Sequence, residues 1–592
     1  MYKNYYSQTG GGVVSLVRER RRTRRRSLAV VLWLDDSKKI EAIFVLFFLF
    51  LFCCGKENLK KQNAKNTLSR RRRRRRISLE CCCSRFSKNF QKIFKKKIAT
   101  LCPIPIIPTS RERNARKTMT TTGTTTKKDE EEIVPGTTAG TILFSGCTDF
   151  KNAGRTKQID ESVFANVCVP SKISTFEEEE GLEFTFVAAG AAAAHNVAID
   201  TKGRLWAWGR NENGQLGTGD KHNRNAPQIV KGINFGENGD GEDKDAVKIV
   251  WAACGRNHTI CVDSEGSFYG CGSNKSGQLG VPIVWSRQKK NVDDERVEFV
   301  KSASATHAKF VKATCGIDFT VLTDENGKMW SFGCPQYGQL GHGDDHEYNM
   351  KEGTVKLAYE PQPTPKMIRS GDLNPENDYK VVKVCCGHNH VACFCEDGKI
   401  YTWGNGGYGR LGHRVQKDEF SPKRVEIQGG DRNLIPKDAI LACGSTATHV
   451  SACMGQLYAF GKLKVSGDNT MFPMPQMDLQ GWVLRDFASG AVTFATCANE
   501  SAVTWGAGGY GELGYGPNGK KSSACPDLVP SLEGKRTIMV ACGLGQTLFL
   551  VKSEDVKEGV PVFTPLPETK GSEKKNQGAD MVKPGGAKKA KK

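Results

Sequence analysis

Residues 141–552 predict an all-β fold, a seven-bladed β-propeller closed by pairing its N- and C-terminal strands, with disordered tails on either side. Three observations carry this reading. Two strand signatures alternate in seven copies each, the outermost copies stand alone, and a glycine loop follows most copies of one signature.

The first signature ends in glycine: Leu143-Phe144-Ser145-Gly146, Leu205-Trp206-Ala207-Trp208-Gly209, Phe268-Tyr269-Gly270-Cys271-Gly272, Met329-Trp330-Ser331-Phe332-Gly333, Ile400-Tyr401-Thr402-Trp403-Gly404, Leu457-Tyr458-Ala459-Phe460-Gly461 and Val503-Thr504-Trp505-Gly506. The second runs through a small-residue turn into an apolar strand: Ala189-Gly190, Ala253-Cys254-Gly255, Thr314-Cys315-Gly316, Cys385-Cys386-Gly387, Ala442-Cys443-Gly444, Ala488-Ser489-Gly490 and Ala541-Cys542-Gly543. From the second copy of the first signature onward, a turn such as Asp263-Ser264-Glu265-Gly266 joins a second-type strand to a first-type strand, the pattern of a hairpin. The region opens on a lone first-type strand and closes on a lone second-type strand that ends at Val551. Joining the two completes one blade from both ends and removes two exposed sheet edges.

Five first-type strands lead into a loop of the form Gly-x-Leu-Gly: Gly214-Gln215-Leu216-Gly217, Gly277-Gln278-Leu279-Gly280, Gly338-Gln339-Leu340-Gly341, Gly409-Arg410-Leu411-Gly412 and Gly511-Glu512-Leu513-Gly514. Glycine permits positive φ in a tight turn, and the leucine is placed to plug the gap between blades. Copies one and six lack the loop, which marks their blades as degenerate. Successive turn glycines lie 65, 61, 71, 57, 46 and 53 residues apart, more than a minimal blade needs, so the excess forms surface loops. The largest interval holds residues 342–378. Within it Asp344, Asp345, His346, Glu347, Tyr359, Glu360 and Lys366 are the candidate partner-binding residues, because a long loop on a rigid ring is a natural contact site.

Charge divides unevenly along the chain. Residues 1–118 hold 31 Lys and Arg against 7 Asp and Glu, leaving 55 against 57 for residues 119–592. The basic character therefore belongs to the N-terminal segment, and the ring has no excess of positive charge for gripping phosphate backbones. Nucleic-acid contact is expected only through the tails. That segment carries an arginine run at residues 70–76 and an apolar run at residues 42–54, too short to span a bilayer comfortably, so no membrane span is expected. Its low complexity, and the change to a Thr-rich and then acidic linker over residues 119–140, predict that natural translation starts at Met119. Residues 553–592 read as a disordered basic tail, in which Lys588, Lys589, Lys591 and Lys592 suit nuclear import or nucleic-acid contact. The cysteines recur at a repeat position rather than in a dense disulfide pattern, which fits reduced thiols of a nuclear or cytosolic protein.

Three patterns mimic other chemistry. Residues 404–409 and 506–511 satisfy G-x-G-x-x-G, but each enters the repeat's glycine loop where a dinucleotide site needs a helix. Gly519-Lys520 approaches a phosphate loop yet has Lys521 where Ser or Thr would hold magnesium. Cys385, Cys386, His388, His390, Cys393 and Cys395 resemble a metal cluster. Strand alternation sends neighbouring side chains to opposite faces, and Cys254, Gly255 and His258 repeat the pattern without the extra cysteines, so buried thiols and blade-linking histidines are expected. No nucleophile motif such as G-x-S-x-G occurs. Neither a cofactor, a metal nor a catalytic residue is assigned.

The strand and loop residues resemble the regulator of chromosome condensation repeat family over nearly all of residues 141–552. Several stretches resemble one branch of it in loop positions that the generic repeat leaves open: LWAWGRNENGQLGTG from Leu205, ACGRNHT from Ala253, SFGCPQYGQLGH from Ser331, WGNGGYGRLGHRVQKDE from Trp403 and GELGYG from Gly511. The resemblance implies a monomeric propeller that regulates small GTPases of the Rac and Ral kind. It also implies chromatin, spindle or microtubule partners, with a nuclear location, association with chromosomes or spindle in mitosis, and a cytoplasmic pool. The alternative it implies is guanine-nucleotide exchange on a Ran-like GTPase with chromatin binding, although the family's exchange residues find no matching positions here.

Overall fold

The computed structural model describes residues 136–155, 165–236, 246–283, 294–302, 307–350, 355–374, 376, 379–427, 435–452, 456–464 and 467–567, together with a short antiparallel pair, Gln8–Thr9 with Gly12–Val13. The chain divides into residues 1–127, to which that pair belongs, and residues 128–592. The arginine run, the apolar run, Met119, the linker up to residue 135 and the tail lysines 588, 589, 591 and 592 lie outside the described residues.

Seven antiparallel sheets make the propeller. Blade 1 comprises Phe184–Ala189, His195–Asp200, Leu205–Gly209 and Arg224–Ile229, in that order from the axis outward. Blade 2 follows with Ile249–Cys254, His258–Asp263, Phe268–Ser273 and Glu295–Lys301. Blade 3 has Phe310–Cys315, Phe319–Asp324, Met329–Gly333 and Gln362–Met367. Blade 4 has Val381–Cys386, His390–Cys395, Ile400–Gly404 and Glu419–Arg424. Blade 5 has Leu441–Cys443, Ala447–Ser451, Leu457–Gly461 and Thr470–Pro475, and blade 6 has Leu484–Ser489, Thr493–Ala498, Ser501–Ala507 and Ser522–Leu528.

Blade 7 is assembled from both ends of the ring. Thr537–Cys542 and Gln546–Val551 are continued by Thr141–Gly146, which runs antiparallel to the latter from Thr141↔Val551 to Gly146↔Gln546, and then by Val167–Ile173. The expected closure is thus present, and the innermost strands touch their neighbours right round the ring, blade 7 against blade 1 included. Blades 5 and 7 have all four strands; what copies six and one lack is the loop alone.

Residues 553–567, grouped on composition with the disordered tail, are placed against the ring. Val562–Phe563 adds a fifth, parallel strand to blade 7 beside Val167–Ile173, and Phe563 stacks on Phe144 at 6.0 Å. The reason is local: residues 559–567 carry no charge and hold Val560, Val562, Phe563 and Leu566, the lysines concentrate beyond them, and the added strand covers an otherwise open edge.

Small residues line the axis because neighbouring blades converge there. A Cβ on Gly190 would lie 2.0 Å from the Cys254 carbonyl oxygen, so only glycine fits. Repeated cysteines stitch the inner strands, the thiols of Cys254, Cys315 and Cys386 donating to the carbonyls of Ala188, Ala253 and Thr314 in the preceding blade. Burial pushes the Cys254 and Cys315 thiols up, and no disulfide links the described cysteines. At the opposite end of the second strands, Asp200, Asp263 and Asp324 accept backbone N–H bonds from the hairpin turns they begin, an aspartate-capped turn.

Candidate partner-binding face

Every inner strand ends at its Gly-x-x turn, the second strand returns, and the third strand ends at its glycine beside that turn, as the pairing His195↔Gly209 records. The turns and all the glycine loops therefore emerge at one end of the ring. The hairpin turns, and the paired ends Thr141 and Val551 of the closing strands, lie at the other.

On the first face the loops act as seams. Leu216 is buried among Tyr269, Cys271 and Phe299 of blade 2. The backbone carbonyl one residue before each loop leucine accepts a bond from the next blade: Gln215 from Thr259 Oγ1 at 2.6 Å, Gln278 from Thr320 Oγ1 at 2.9 Å, Gln339 from Trp403 Nε1 at 3.0 Å, Arg410 from Thr448 Oγ1 at 2.9 Å and Glu512 from Ser145 Oγ at 3.3 Å. Buried histidines join the same threonines, with His195 to Thr259 at 2.9 Å, His258 to Thr320 at 3.2 Å and His390 to Thr448 at 2.9 Å. Burial lowers the His195 and His258 pKa to about 3, so these rings stay neutral. Where copy one lacks the loop, Arg210 of blade 1 fills the seam by donating to the carbonyls of Phe150 and Ala153.

The crowded cysteines and histidines of blade 4 do not converge. His390 faces Thr448, His388 Nε2 reaches the Ala191 carbonyl, the Cys386 thiol donates to Thr314, and Cys385 Sγ accepts from the Cys443 N–H. The two G-x-G-x-x-G segments lead through their loops to the outer strands Glu419–Arg424 and Ser522–Leu528. Lys520 makes a surface ion pair with Asp527 at 3.1 Å.

The long interval leaves this same face after Gly333. Glu347–Asn349 pairs with Leu357–Tyr359 as a separate antiparallel hairpin, with Glu347 opposite Tyr359. At its base His346 has φ +51°, its Nε2 lies 2.8 Å from Asp344, its Nδ1 lies 3.1 Å from the Glu360 carbonyl, and its own carbonyl accepts the Glu360 N–H. Asp345 Oδ1 accepts the Glu347 N–H at 3.1 Å. Desolvation first, then Glu347 and Asp345, raises the Tyr359 phenol pKa. Six of the seven candidate residues thus share one hairpin base. Lys366 stands apart on the outer strand of blade 3, opposite Ser331, and lines a cavity of about 500 Å³ with Trp330, His342 and Arg369. Towards the tip, Val355 is 85% and Leu357 49% exposed.

His342 was not singled out, yet it ties hairpin to blade. Its Nε2 lies 2.9 Å from Ser331 Oγ and 3.4 Å from the Lys366 carbonyl, and its ring stacks on His346 at 6.4 Å. Burial, reinforced by Lys366, lowers its pKa to about 3. The signal was the repeat itself: His413 follows Leu411-Gly412 as His342 follows Leu340-Gly341, and it bonds Thr402 in the same way. Also missed was a cavity of about 400 Å³ between blades 5 and 6, lined by Lys462, Ser489, Phe494 and Trp505, at the seam where copy six lacks its loop.

A rigid ring that gathers its loops and an inserted hairpin on one face belongs to the class of regulatory β-propellers that work by binding. The model of the regulator of chromosome condensation (RCC1) repeat matches residues 202–262, 326–394, 397–449 and 503–550, and a second model of the same repeat matches 184–215, 252–278 and 381–410. The chain is 32% identical to the zebrafish (Danio rerio) protein RCC2 homolog over 72% of its own length and 83% of that protein, and 32% identical to human (Homo sapiens) RCC2 over 71% and 77%. The chain belongs to the RCC2 family of RCC1-repeat propellers. Among solved structures, yeast RCC1 (Prp20) bound to Kap60 matches with a TM-score of 0.54 at 18% identity over 76% of this chain and 97% of that one, a likeness of fold. Human WBSCR16 gives the same score and identity over 70% and 99%.

Proposed function

We propose that this protein is an interaction platform that regulates a small GTPase of the Rac or Ral kind and serves mitotic chromosome or spindle organisation, using the glycine-loop face. The observation that carries this reading is the blade 3 hairpin, which gathers Asp344, Asp345, His346, Glu347, Tyr359 and Glu360 beside the loops of the ring. Membership of the RCC2 family supports it. A nuclear location with a cytoplasmic pool, a monomeric ring, and nucleic-acid contact confined to the tails, with Lys588, Lys589, Lys591 and Lys592 among the contacting groups, belong to the same proposal. The test is to shorten residues 342–378 while keeping Gly341 and Val381. Loss of GTPase capture with an unchanged thermal transition is expected, and unchanged capture would defeat the reading. DNA binding that survives removal of residues 1–118 and 568–592 would overturn the role given to the tails.

A second reading is nucleotide exchange on a Ran-like GTPase. It is favoured by the exposed Val355 and Leu357, which offer an apolar wedge, and by yeast Prp20p, whose structure was described with its binding to Gsp1p and histones. Release of labelled GDP from a panel of Rac-, Ral- and Ran-type GTPases separates the two. Acceleration for any member favours exchange, and capture without acceleration favours the platform.

A further inference from the structure

The seam between blades 5 and 6 has no Gly-x-Leu-Gly loop; among the described residues Ser445 Oγ donates across it to the Ala491 carbonyl at 2.6 Å, and Leu463 lines the gap without filling it. After Gly461 the chain reads Lys462-Leu463-Lys464, and the 400 Å³ cavity left there falls within the ~300–1,000 Å³ of ligand pockets. We propose that this cavity is a docking site for an extended acidic segment of a partner protein, which inserts an aliphatic side chain and so supplies in trans the plug that blade 5 lacks.

Four features specify that occupant. Trp505 holds in blade 6 the place that Trp403 holds in blade 4, opposite Phe494 as Trp403 is opposite Val391. Trp403 donates its indole N–H to a loop carbonyl, whereas Trp505 has no hydrogen bond among the described residues, so a peptide carbonyl can take it. The position of Thr259, Thr320 and Thr448 becomes Phe494, which with Trp505 at 5.5 Å gives the seam an aromatic floor. Ser489 is 7% exposed and its hydroxyl has no partner among the described residues, and a buried unpaired polar group favours an occupant that can hydrogen-bond to it. The rim is cationic. Lys462 lies over the ring of Tyr408 at 5.4 Å, Lys464 is exposed beside it, and no described carboxylate pairs with either. The described acidic run at residues 177–180 is already engaged, Glu177 with Lys172 and Glu179 with Arg204, which favours an occupant from another chain. This inference stands apart from the hairpin and from the identity of the GTPase.

The probe is a fluorescein-labelled peptide, Asp-Glu-Gly-Glu-Leu-Gly-Glu, titrated by anisotropy against the full chain. Saturable binding is expected. It should weaken roughly tenfold or more with the K462E/K464E double variant, with alanine replacing the peptide leucine, and with a Gly-Gln-Leu-Gly loop inserted after Lys464. The double variant reverses the rim charge and removes the Lys462–Tyr408 contact, so its melting temperature is measured alongside to show that the ring is intact. Absence of saturable binding, or equal binding by the loop-inserted or double variant, would overturn the proposal.

Discussion

The seam between blades 4 and 5 and the seam between blades 5 and 6 are built from equivalent strands and differ by one loop. In the first, Leu411 is fully buried and Thr448 joins both the Arg410 carbonyl and His390. In the second, the Gly-x-Leu-Gly loop is absent, Leu463 is only half-buried at the edge of the gap, the threonine has become Phe494, and a cavity remains. The sheets are complete on both sides, so the loop is not needed to form a blade. Its work is to fill and hydrogen-bond the gap between blades. Five copies of one loop thus serve cohesion, and its absence leaves surface free for another use.

Four variants would break or sharpen this contrast. Leu411→Ala empties a filled seam and should cost about 2–5 kcal/mol, the range for buried leucine truncation, read by chemical denaturation. A cost under about 1 kcal/mol would mean the loop leucine is not structural.

Glu512→Gln comes next and depends on pH. Glu512 takes the place of Gln215, Gln278 and Gln339, each of which accepts a backbone N–H two residues earlier, as Glu512 does from Tyr510 at 2.7 Å. Burial raises its pKa to about 7 from 4.5. The folded state therefore holds the proton more tightly than the unfolded chain. That stabilisation is fully present below pH 4.5 and is lost as pH rises through 7, an effect on the order of 3 kcal/mol. The glutamine variant should be the more stable at pH 8 and lose that advantage towards pH 4.5. The seam histidines act with the opposite sign. The folded pKa of His195 and His258 is depressed to about 3, so their contribution is present above pH 6.5 and is lost as pH falls towards 3. Identical pH profiles for wild type and E512Q would contradict the assignment.

Thr448→Val strands the His390 ring and the Arg410 carbonyl and should cost about 1–3 kcal/mol. Thr446→Val, on the loopless side of the same blade, breaks one long bond of 3.4 Å to the Lys462 carbonyl and should stay within about 0.5 kcal/mol. Equal costs for the two would erase the distinction between the seams.

Most of the ring was legible in the sequence because its devices repeat. Glycines that must approach a neighbouring backbone, and tryptophans and leucines that fill seams, recur at fixed places in the blades, and the unpaired end strands pointed to closure. Residues 553–567 were not legible. A two-residue parallel edge strand carries no periodicity, and the charge of the residues beyond it dominated the reading. The candidate residues were found as a long loop. Their gathering into one hairpin base was hidden because each strand has only three residues, too short for an alternating pattern to show. The cavity escaped notice because a missing motif does not say what takes its place, although the Phe494 substitution marked the spot.

Hydrogen exchange of the full chain, with and without a Rac-type GTPase, locates the partner surface without altering a residue. Protection is predicted at the blade 3 hairpin, over residues 344–349 and 355–360, and at the inner turns that share its face, such as Arg256-Asn257 and His388-Asn389. Protection confined to the opposite turns, at Lys202-Gly203, Glu265-Gly266, Asn326-Gly327 and Asp397-Gly398, would place the partner on the wrong side of the ring and contradict the assignment of the face.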